Sequence, residues 1–407
     1  MTHSSHATCF RPCFVYLLWV TGMVTACRAS PSGQARKETA PAPLAVVPLI
    51  SVDGIPFISV RRDSAPPHLW LLDSGFGASV VNRRFADTLR LPGYTHGQAT
   101  VPGGHTDVGS VAGFPLHIGE ATFNPDNLAV IDLHNVEPVI GLPFAGILGH
   151  DFLMRYVVRL DYDHQQVQLF EPTRFAYAGA GQSLPLWIEA AQSFVLGVLY
   201  IDGRATPAKL KLDTGSFDVL GLNGSFVRQT DLVSDNRPKL PGMGAALGGA
   251  ITGYTVRLDS MSLGGIMVGK PIAAYSTDVQ RRGDAGTMGV RLLSRFNLVF
   301  DYPRHRVILE ATERLHRPLR YDASGLLLTG AGPGYRSVAV LAVERNSPAA
   351  AAGIEPGDSI IMIGDKSAAA VGLSAIRDRL AQPDTVRLRL MHHGRTREVL
   401  LHLRERL

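Results

Sequence analysis

The sequence predicts an all-β body made of two similar tandem units, followed by a smaller α+β domain. Glycine is abundant, with 42 residues in a chain of 407, and tight turns that need glycine are typical of proteins rich in short strands. Helical periodicity is weak outside short patches such as 83–89. Several short segments recur at a constant spacing of 140 residues. The recurrence ends after Thr312, where a different pattern begins.

The composition excludes several classes of protein. Hydrophobic residues make up 45% of the chain and charged residues 18%, which is too apolar for a disordered protein. A net charge of +5 is too weak for the dense basic surface of a nucleic-acid binder, so no nucleic-acid partner is expected. All three cysteines precede residue 30, which excludes a disulfide scaffold, a cysteine zinc site and a catalytic thiol in the body. The His-Glu-x-x-His motif is absent, and neither a metal nor a cofactor is expected.

The N-terminal segment has the pattern of an export signal. Residues 14–26 form an apolar run that is short for a membrane span but suitable for a signal-peptide core. The run leads into Val24-Thr25-Ala26-Cys27, which resembles the bacterial lipoprotein box. This predicts a signal peptide at 1–27, lipidation of Cys27 and a membrane-anchored, periplasm-facing protein; the alternative is an ordinary cleaved signal and a periplasmic protein. Residues 28–44 are polar and proline-rich, as in a flexible linker.

Three recurring segments, which we call anchors, define the repeat. Leu71-Leu72-Asp73-Ser74-Gly75 recurs as Lys211-Leu212-Asp213-Thr214-Gly215, Ile147-Leu148-Gly149 recurs as Thr287-Met288-Gly289, and 155–162 recurs as 295–302. They predict two units, 45–172 and 173–315. In the first unit, the apolar runs 157–160 and 167–169 flank a polar turn, which indicates a hairpin. Each unit is therefore predicted to be a small, mostly antiparallel barrel or sandwich.

The candidate chemistry lies where an apolar strand of each unit ends in Asp, a hydroxyl residue and Gly. The glycine permits a tight turn, and the hydroxyl can bond to the backbone and lock that turn. The carboxylate is then presented at the end of a rigid strand, as a pre-organised catalytic group should be. Gly149 and Gly289 follow at the same distance in both units, and a glycine in an apolar strand often marks close approach by another backbone.

Together these motifs resemble the retropepsin- and pepsin-type aspartic proteases, over both units. In that family, two β-barrel lobes related by a pseudo-two-fold axis each contribute one aspartate. The resemblance implies an aspartic endopeptidase that acts on peptides or proteins, in which Asp73 and Asp213 share a proton and activate a water. The residues that would support the active-site loops are Ser74, Gly75, Gly149, Thr214, Gly215 and Gly289. Because both lobes lie in one chain, a monomer is expected.

Residues 316–407 carry a different pattern. A strand at 338–343 precedes a Ser-Pro-Ala…Ala-Gly…Pro-Gly-Asp run that starts at Ser347, and a helix at 373–380 precedes a hairpin around His393-Gly394. This pattern resembles the PDZ domains of bacterial proteases. The resemblance implies that a peptide C-terminus adds as a strand, its carboxylate held by a loop. That loop would be Ser324, Gly325, Leu326 and Leu327. The alternative is a PDZ domain that packs on the lobes and binds nothing.

Two functions follow from these patterns. The first is an aspartic endopeptidase with a PDZ module for peptide binding or regulation. The second is a catalytically inactive, peptide-binding lipoprotein that uses the lobes and the PDZ domain to recognise partners.

Overall fold

The computed structural model describes residues 42–89, 97–101, 104–234, 237–246, 249–276 and 283–407. The predicted signal peptide, Cys27 and most of the predicted linker lie outside the described residues. All described residues belong to the compact unit Ala40–Leu407.

Strands dominate the described chain, as predicted, and the helices are few and short. The first half contains β1 (Ala45–Pro48), β2 (Ile50–Val52), β3 (Ile55–Val60), β4 (His68–Leu72), β5 (Val80–Asn82), β6 (Gly97–Val101), β7 (Gly104–Ala112), β8 (Leu116–Ile118), β9 (Ala121–Phe123), β10 (Asn127–Ile131), β11 (Gly146–Leu148), β12 (Val157–Asp161) and β13 (Gln166–Phe170). The second half contains β14 (Gln182–Pro185), β15 (Trp187–Glu189), β16 (Gln192–Ile201), β17 (Arg204–Asp213), β18 (Leu220–Asn223), β19 (Lys239–Ala246), β20 (Gly249–Arg257), β21 (Ser260–Leu263), β22 (Ile266–Gly269), β23 (Ile272–Ser276), β24 (Gly286–Gly289), β25 (Phe296–Asp301) and β26 (Arg306–Ala311). The third module contains β27 (Leu326–Ala331), β28 (Ser337–Val343), β29 (Ser359–Ile363), β30 (Lys366–Ser367), β31 (Thr385–His392) and β32 (Arg395–His402). The helices are α1 (Arg83–Thr88), α2 (Glu137–Ile140), α3 (His150–Arg155), α4 (Gly224–Thr230), α5 (Val290–Leu293), α6 (Pro348–Ala351), α7 (Ala368–Val371) and α8 (Leu373–Leu380).

The large sheets of the two halves have the same neighbour order over seven strands. The first sheet runs β2-β3-β4-β11-β5-β10-β7-β6. The second runs β22-β21-β16-β17-β24-β18-β23-β20-β19, with β15 added to β16. In both sheets the strand that leads to an Asp-Ser/Thr-Gly turn has a parallel neighbour, β11 beside β4 and β24 beside β17. The equal spacing of the sequence anchors thus corresponds to equal places in two sheets.

A third sheet joins the halves. Its order is β1-β13-β12-β25-β26-β14, and β12 pairs antiparallel with β25. The recurring segments 155–162 and 295–302 therefore meet along these two strands. One buried apolar core, which includes Trp70, Tyr156 and Tyr302, extends through both halves.

The third module has a core and a sheet of its own. Its sheet runs β27-β28-β29-β31-β32, and within the described part of the chain one side of β27 has no strand partner. The predicted helix at 373–380 is α8, and the predicted closing hairpin is β31–β32, so both predictions are confirmed. Alternating burial along β27 and β31 turns one face of each strand towards a separate apolar cluster that includes Leu328, Ile376 and Leu388.

Candidate active site

The structure brings the two Asp-Ser/Thr-Gly turns into direct contact. A Cβ atom added to Gly75 would lie 2.2 Å from Cγ of Asp213, and one added to Gly215 would lie 2.2 Å from Oδ2 of Asp73. Each carboxylate therefore lies against the glycine of the other turn. No residue larger than glycine fits at either place. This close packing explains why both motifs have glycine at this position.

The hydroxyl residues of the motif link the two turns by reciprocal hydrogen bonds. The backbone N–H of Ser74 donates to Oγ1 of Thr214 at 2.9 Å, and the N–H of Thr214 donates to Oγ of Ser74 at 3.1 Å. Thr214 Oγ1 also donates to the carbonyl oxygen of Leu72 at 2.6 Å. Both hydroxyl side chains are buried. Buried polar groups that satisfy one another in this way hold two chain segments in one arrangement.

Each aspartate is also fixed within its own turn. The N–H of Gly75 donates to Oδ1 of Asp73 at 2.8 Å, and the N–H of Gly215 donates to Oδ1 of Asp213 at 3.1 Å. One oxygen of each carboxylate is thereby oriented by backbone, and Oδ2 is left for other partners.

Burial and the facing carboxylate give Asp73 an unusual protonation. Burial is the largest cause of the shift. Burial, the charge of Asp213 and a hydrogen bond with Asp213 together raise the pKa of Asp73 to about 8. The charge of Lys211 and the N–H of Gly75 lower this pKa. Two carboxylates held this close do not both ionise readily, so the arrangement favours the protonated form of Asp73.

Gly149 and Gly289 allow a neighbouring strand to pass directly beneath each turn segment. A Cβ on Gly149 would lie 2.5 Å from the carbonyl oxygen of Ala78, and one on Gly289 would lie 2.3 Å from that of Asp218. The close backbone approach that the sequence predicted at both glycines is confirmed.

Two further residues contact the turns and were not found from the sequence. The ammonium nitrogen of Lys211 lies 2.8 Å from Oδ2 of Asp213. Gln192, at the start of β16, donates from Nε2 to the carbonyl oxygen of Gly75 at 3.2 Å. A lysine at the position where the first unit has Leu71 was an available signal, but nothing in the sequence pattern pointed to Gln192.

A cleft of about 1620 Å³ contains both aspartates. Aromatic side chains of both halves line it, Phe76, Phe217 and Tyr254. The same cleft extends to the third module, where Leu326 and Arg377 form part of its wall.

The loop predicted to hold a peptide carboxylate already has internal partners. The carboxylate of Asp322 accepts the N–H of Gly325, and Oγ of Ser324 accepts the N–H of Leu326 at 3.1 Å. Ser324 and Leu326 are buried, and Leu327 follows on β27. Two N–H groups of this loop are therefore bonded within the chain.

The groove between β27 and α8 is in contact with the first half. Arg377 of α8 donates to the carbonyl oxygens of Val139 and Leu328, at 2.7 and 2.9 Å. A Cβ on Gly330 would lie 3.1 Å from Cα of Gly141, and one on Gly141 would lie 2.9 Å from the side chain of Leu373. The end of α2 therefore contacts both walls of this groove.

Comparison with known proteins assigns this third module. The PDZ domain family matches residues 320–391. The third module is a PDZ domain. PDZ domains bind peptides, commonly by strand addition to an edge of their sheet.

Other comparisons are less specific. No curated protein matches the chain. Among solved structures, the crystal structure of an aspartic proteinase from Irpex lacteus is similar, with 13% identity, a TM-score of 0.42, and coverage of 67% of this chain and 98% of that one. Within the residues described, no helix combines the length and hydropathy needed to cross a membrane.

Proposed function

We propose that the protein is an aspartic endopeptidase that hydrolyses peptide bonds through the pair Asp73 and Asp213. The observation that carries this proposal is the reciprocal packing of the two turns, in which each carboxylate lies against the glycine of the other. An aspartate in an ordinary solvent-exposed turn would not be packed against the glycine of a second turn. The equal strand orders of the two halves support a pseudo-two-fold relation between two lobes, with the pair at their junction.

In this mechanism one carboxylate is ionised and the other is protonated. The ionised member removes a proton from a water, and the water oxygen bonds to the scissile carbonyl carbon. The protonated member gives its proton to the carbonyl oxygen, so a neutral tetrahedral diol forms. Its collapse returns that proton to the carboxylate pair, the C–N bond breaks, and the proton taken from the water passes to the leaving amine. Water is the only co-reactant, and aspartic proteases are the established example of this shared-proton chemistry.

The remaining parts of the chain fit an exported, peptide-directed enzyme. We propose that the PDZ domain binds peptides or regulates cleavage, with Ser324, Gly325, Leu326 and Leu327 as the carboxylate loop. Lipidation of Cys27 would attach the protein to a membrane, facing the periplasm. A monomer suffices, because both aspartates belong to one chain.

Cleavage by aspartate variants tests the proposal. Fluorescein-labelled casein and a mixed peptide library are incubated with the protein from pH 3 to pH 8. Asp73→Asn and Asp213→Asn should each lower kcat by about 10²–10⁴-fold, because each removes one partner of the proton transfer. Asp63→Asn, at a largely exposed side chain, is the matched control and should cleave normally.

The opposite results separate the two candidate functions. Cleavage that persists in both aspartate variants would show that other residues act. No cleavage at any pH, with peptides still bound, would favour the inactive peptide-binding protein.

A further inference from the structure

Lys211 makes the two halves unequal at the candidate active site. It stands two residues before Asp213, at the place that Leu71 occupies before Asp73. Leu71 is buried and packs in an apolar cluster. The side chain of Lys211 is only 10% exposed. A buried ammonium group is unfavourable unless it is paired, so this lysine requires a specific partner.

That partner is Asp213. Side chains two residues apart on a strand face the same side, so β17 directs Lys211 and Asp213 into the same cleft. The ammonium nitrogen lies 2.8 Å from Oδ2, while Oδ1 accepts the N–H of Gly215. Both oxygens of Asp213 therefore hold a donor, which stabilises the ionised carboxylate.

The other groups around the pair do not reproduce this effect. The residues beside Lys211 on the neighbouring strands are Phe194 on β16 and Thr287 on β24, and neither is charged. Other titratable or charged groups near the pair, in the part of the chain that the structure describes, include Asp218, whose charge is compensated by Arg291. They also include Tyr302, whose hydroxyl donates to Ser193, and His150, whose ring packs on Tyr302. Among the described residues, Lys211 is the cation in direct contact with a carboxylate of the pair.

We propose that Lys211 is a positioning residue that keeps Asp213 ionised, so that the shared proton resides on Asp73. Asp213 is then the general base towards the water, and Asp73 is the general acid towards the carbonyl oxygen. This inference rests on the proposed function. The pKa of Asp73, raised to about 8 chiefly by burial, agrees with this division because Asp73 then stays protonated at neutral pH.

The first test is the pH profile of kcat/KM with fluorescein-labelled casein. In Lys211→Leu, which reproduces the residue of the first half, the acid limb should move to higher pH by about one to three pH units, because a cation within bonding distance no longer favours the carboxylate. Lys211→Arg keeps the charge and should keep the acid limb of the unmodified protein. Lys209→Met removes a cation from the same strand, one that pairs with Glu189, and should leave the profile unchanged.

The second test does not depend on activity. Carboxyl carbon chemical shifts of the free protein are followed by ¹³C NMR against pH, with Asp213→Asn for assignment. The first titration step of the pair should occur at higher pH in Lys211→Leu than in the unmodified protein. If Lys211→Leu does not fold, Lys211→Met replaces it and should show the same change. A titration unchanged in a folded variant overturns the inference even if casein is cleaved. A shifted titration without casein cleavage supports the effect of Lys211 on the ionisation of Asp213. It counts against the proposed function and not against this inference.

Discussion

At the scale of single residues, protonation of Asp73 connects the chemistry of the cleft to the stability of the fold. Its carboxyl group is buried and faces Asp213, and its pKa rises from 3.8 to about 8. Between these two values the folded protein holds a proton that the unfolded chain releases. The stabilisation from this proton is complete below pH 3.8 and is lost as the pH rises through about 8.

We therefore predict that Asp73→Asn gains stability relative to the unmodified protein as the pH rises. The variant has no proton to lose at this position, so the difference in the free energy of unfolding should grow in its favour from pH 5 to pH 8. Urea unfolding at several pH values measures this difference. Asp63→Asn, at a largely exposed position, should show a constant difference over the same range. A constant difference for Asp73→Asn as well would contradict the proposed burial of its proton.

At the scale of strands and turns, the hydroxyl groups between β4 and β17 join elements that are distant in sequence. Thr214 Oγ1 accepts from the N–H of Ser74 and donates to the carbonyl oxygen of Leu72, and all three groups are buried. One side chain thus satisfies a donor and an acceptor at the end of the other strand.

Removal of this hydroxyl should loosen both turns together. In Thr214→Val, the Ser74 N–H and the Leu72 carbonyl oxygen lose their partner in a dry environment, at a cost of about 1–3 kcal/mol in the free energy of unfolding. Cleavage should also fall, because the carboxylates would no longer be held face to face. Urea unfolding and casein cleavage measure the two effects. Thr214→Ser retains the hydroxyl and should stay close to the unmodified protein; an equal loss in both variants would contradict a specific role for the hydroxyl group.

Those features of the site that depend on local rules could be predicted from the sequence. The need for glycine in each turn, the equal spacing of the anchors and the period of α8 can all be recognised without coordinates, and the structure agrees with them. Contacts between side chains are different, because they depend on how separate strands pack. The lysine at 211 is visible in the sequence, but its distance to Asp213 is not. Gln192 reaches the carbonyl oxygen of Gly75 across 117 residues of chain, without any motif to indicate it.

At the scale of the whole molecule, the PDZ domain is attached to the first half beside the cleft. Asp53, in the turn between β2 and β3, accepts hydrogen bonds from Ser374 and from Arg377, the latter at 2.7 Å. These partners are separated from Asp53 by more than 300 residues, so the contact is purely tertiary. Because Arg377 also donates to Val139 and Leu328, one guanidinium connects the turn, α2 and the edge strand of the PDZ groove.

Loss of charge at Asp53 should therefore weaken the attachment of the PDZ domain. Asn is the appropriate replacement, because residue 53 has a φ of 52° and asparagine tolerates this conformation well. We expect Asp53→Asn to lower the stability of the contact by about 1–3 kcal/mol, since charge-assisted bonds to a largely buried carboxylate are replaced by neutral ones. Hydrogen exchange should then become faster in α8 and in the β2–β3 turn, while the core of β12 and β25 stays protected. Asp365→Asn, which removes an aspartate that is 90% exposed and paired with Arg387, is the matched control and should change exchange in neither segment. Unchanged exchange in Asp53→Asn would mean that apolar contacts, such as that of Leu373 with Gly141, hold the PDZ domain without this ion pair.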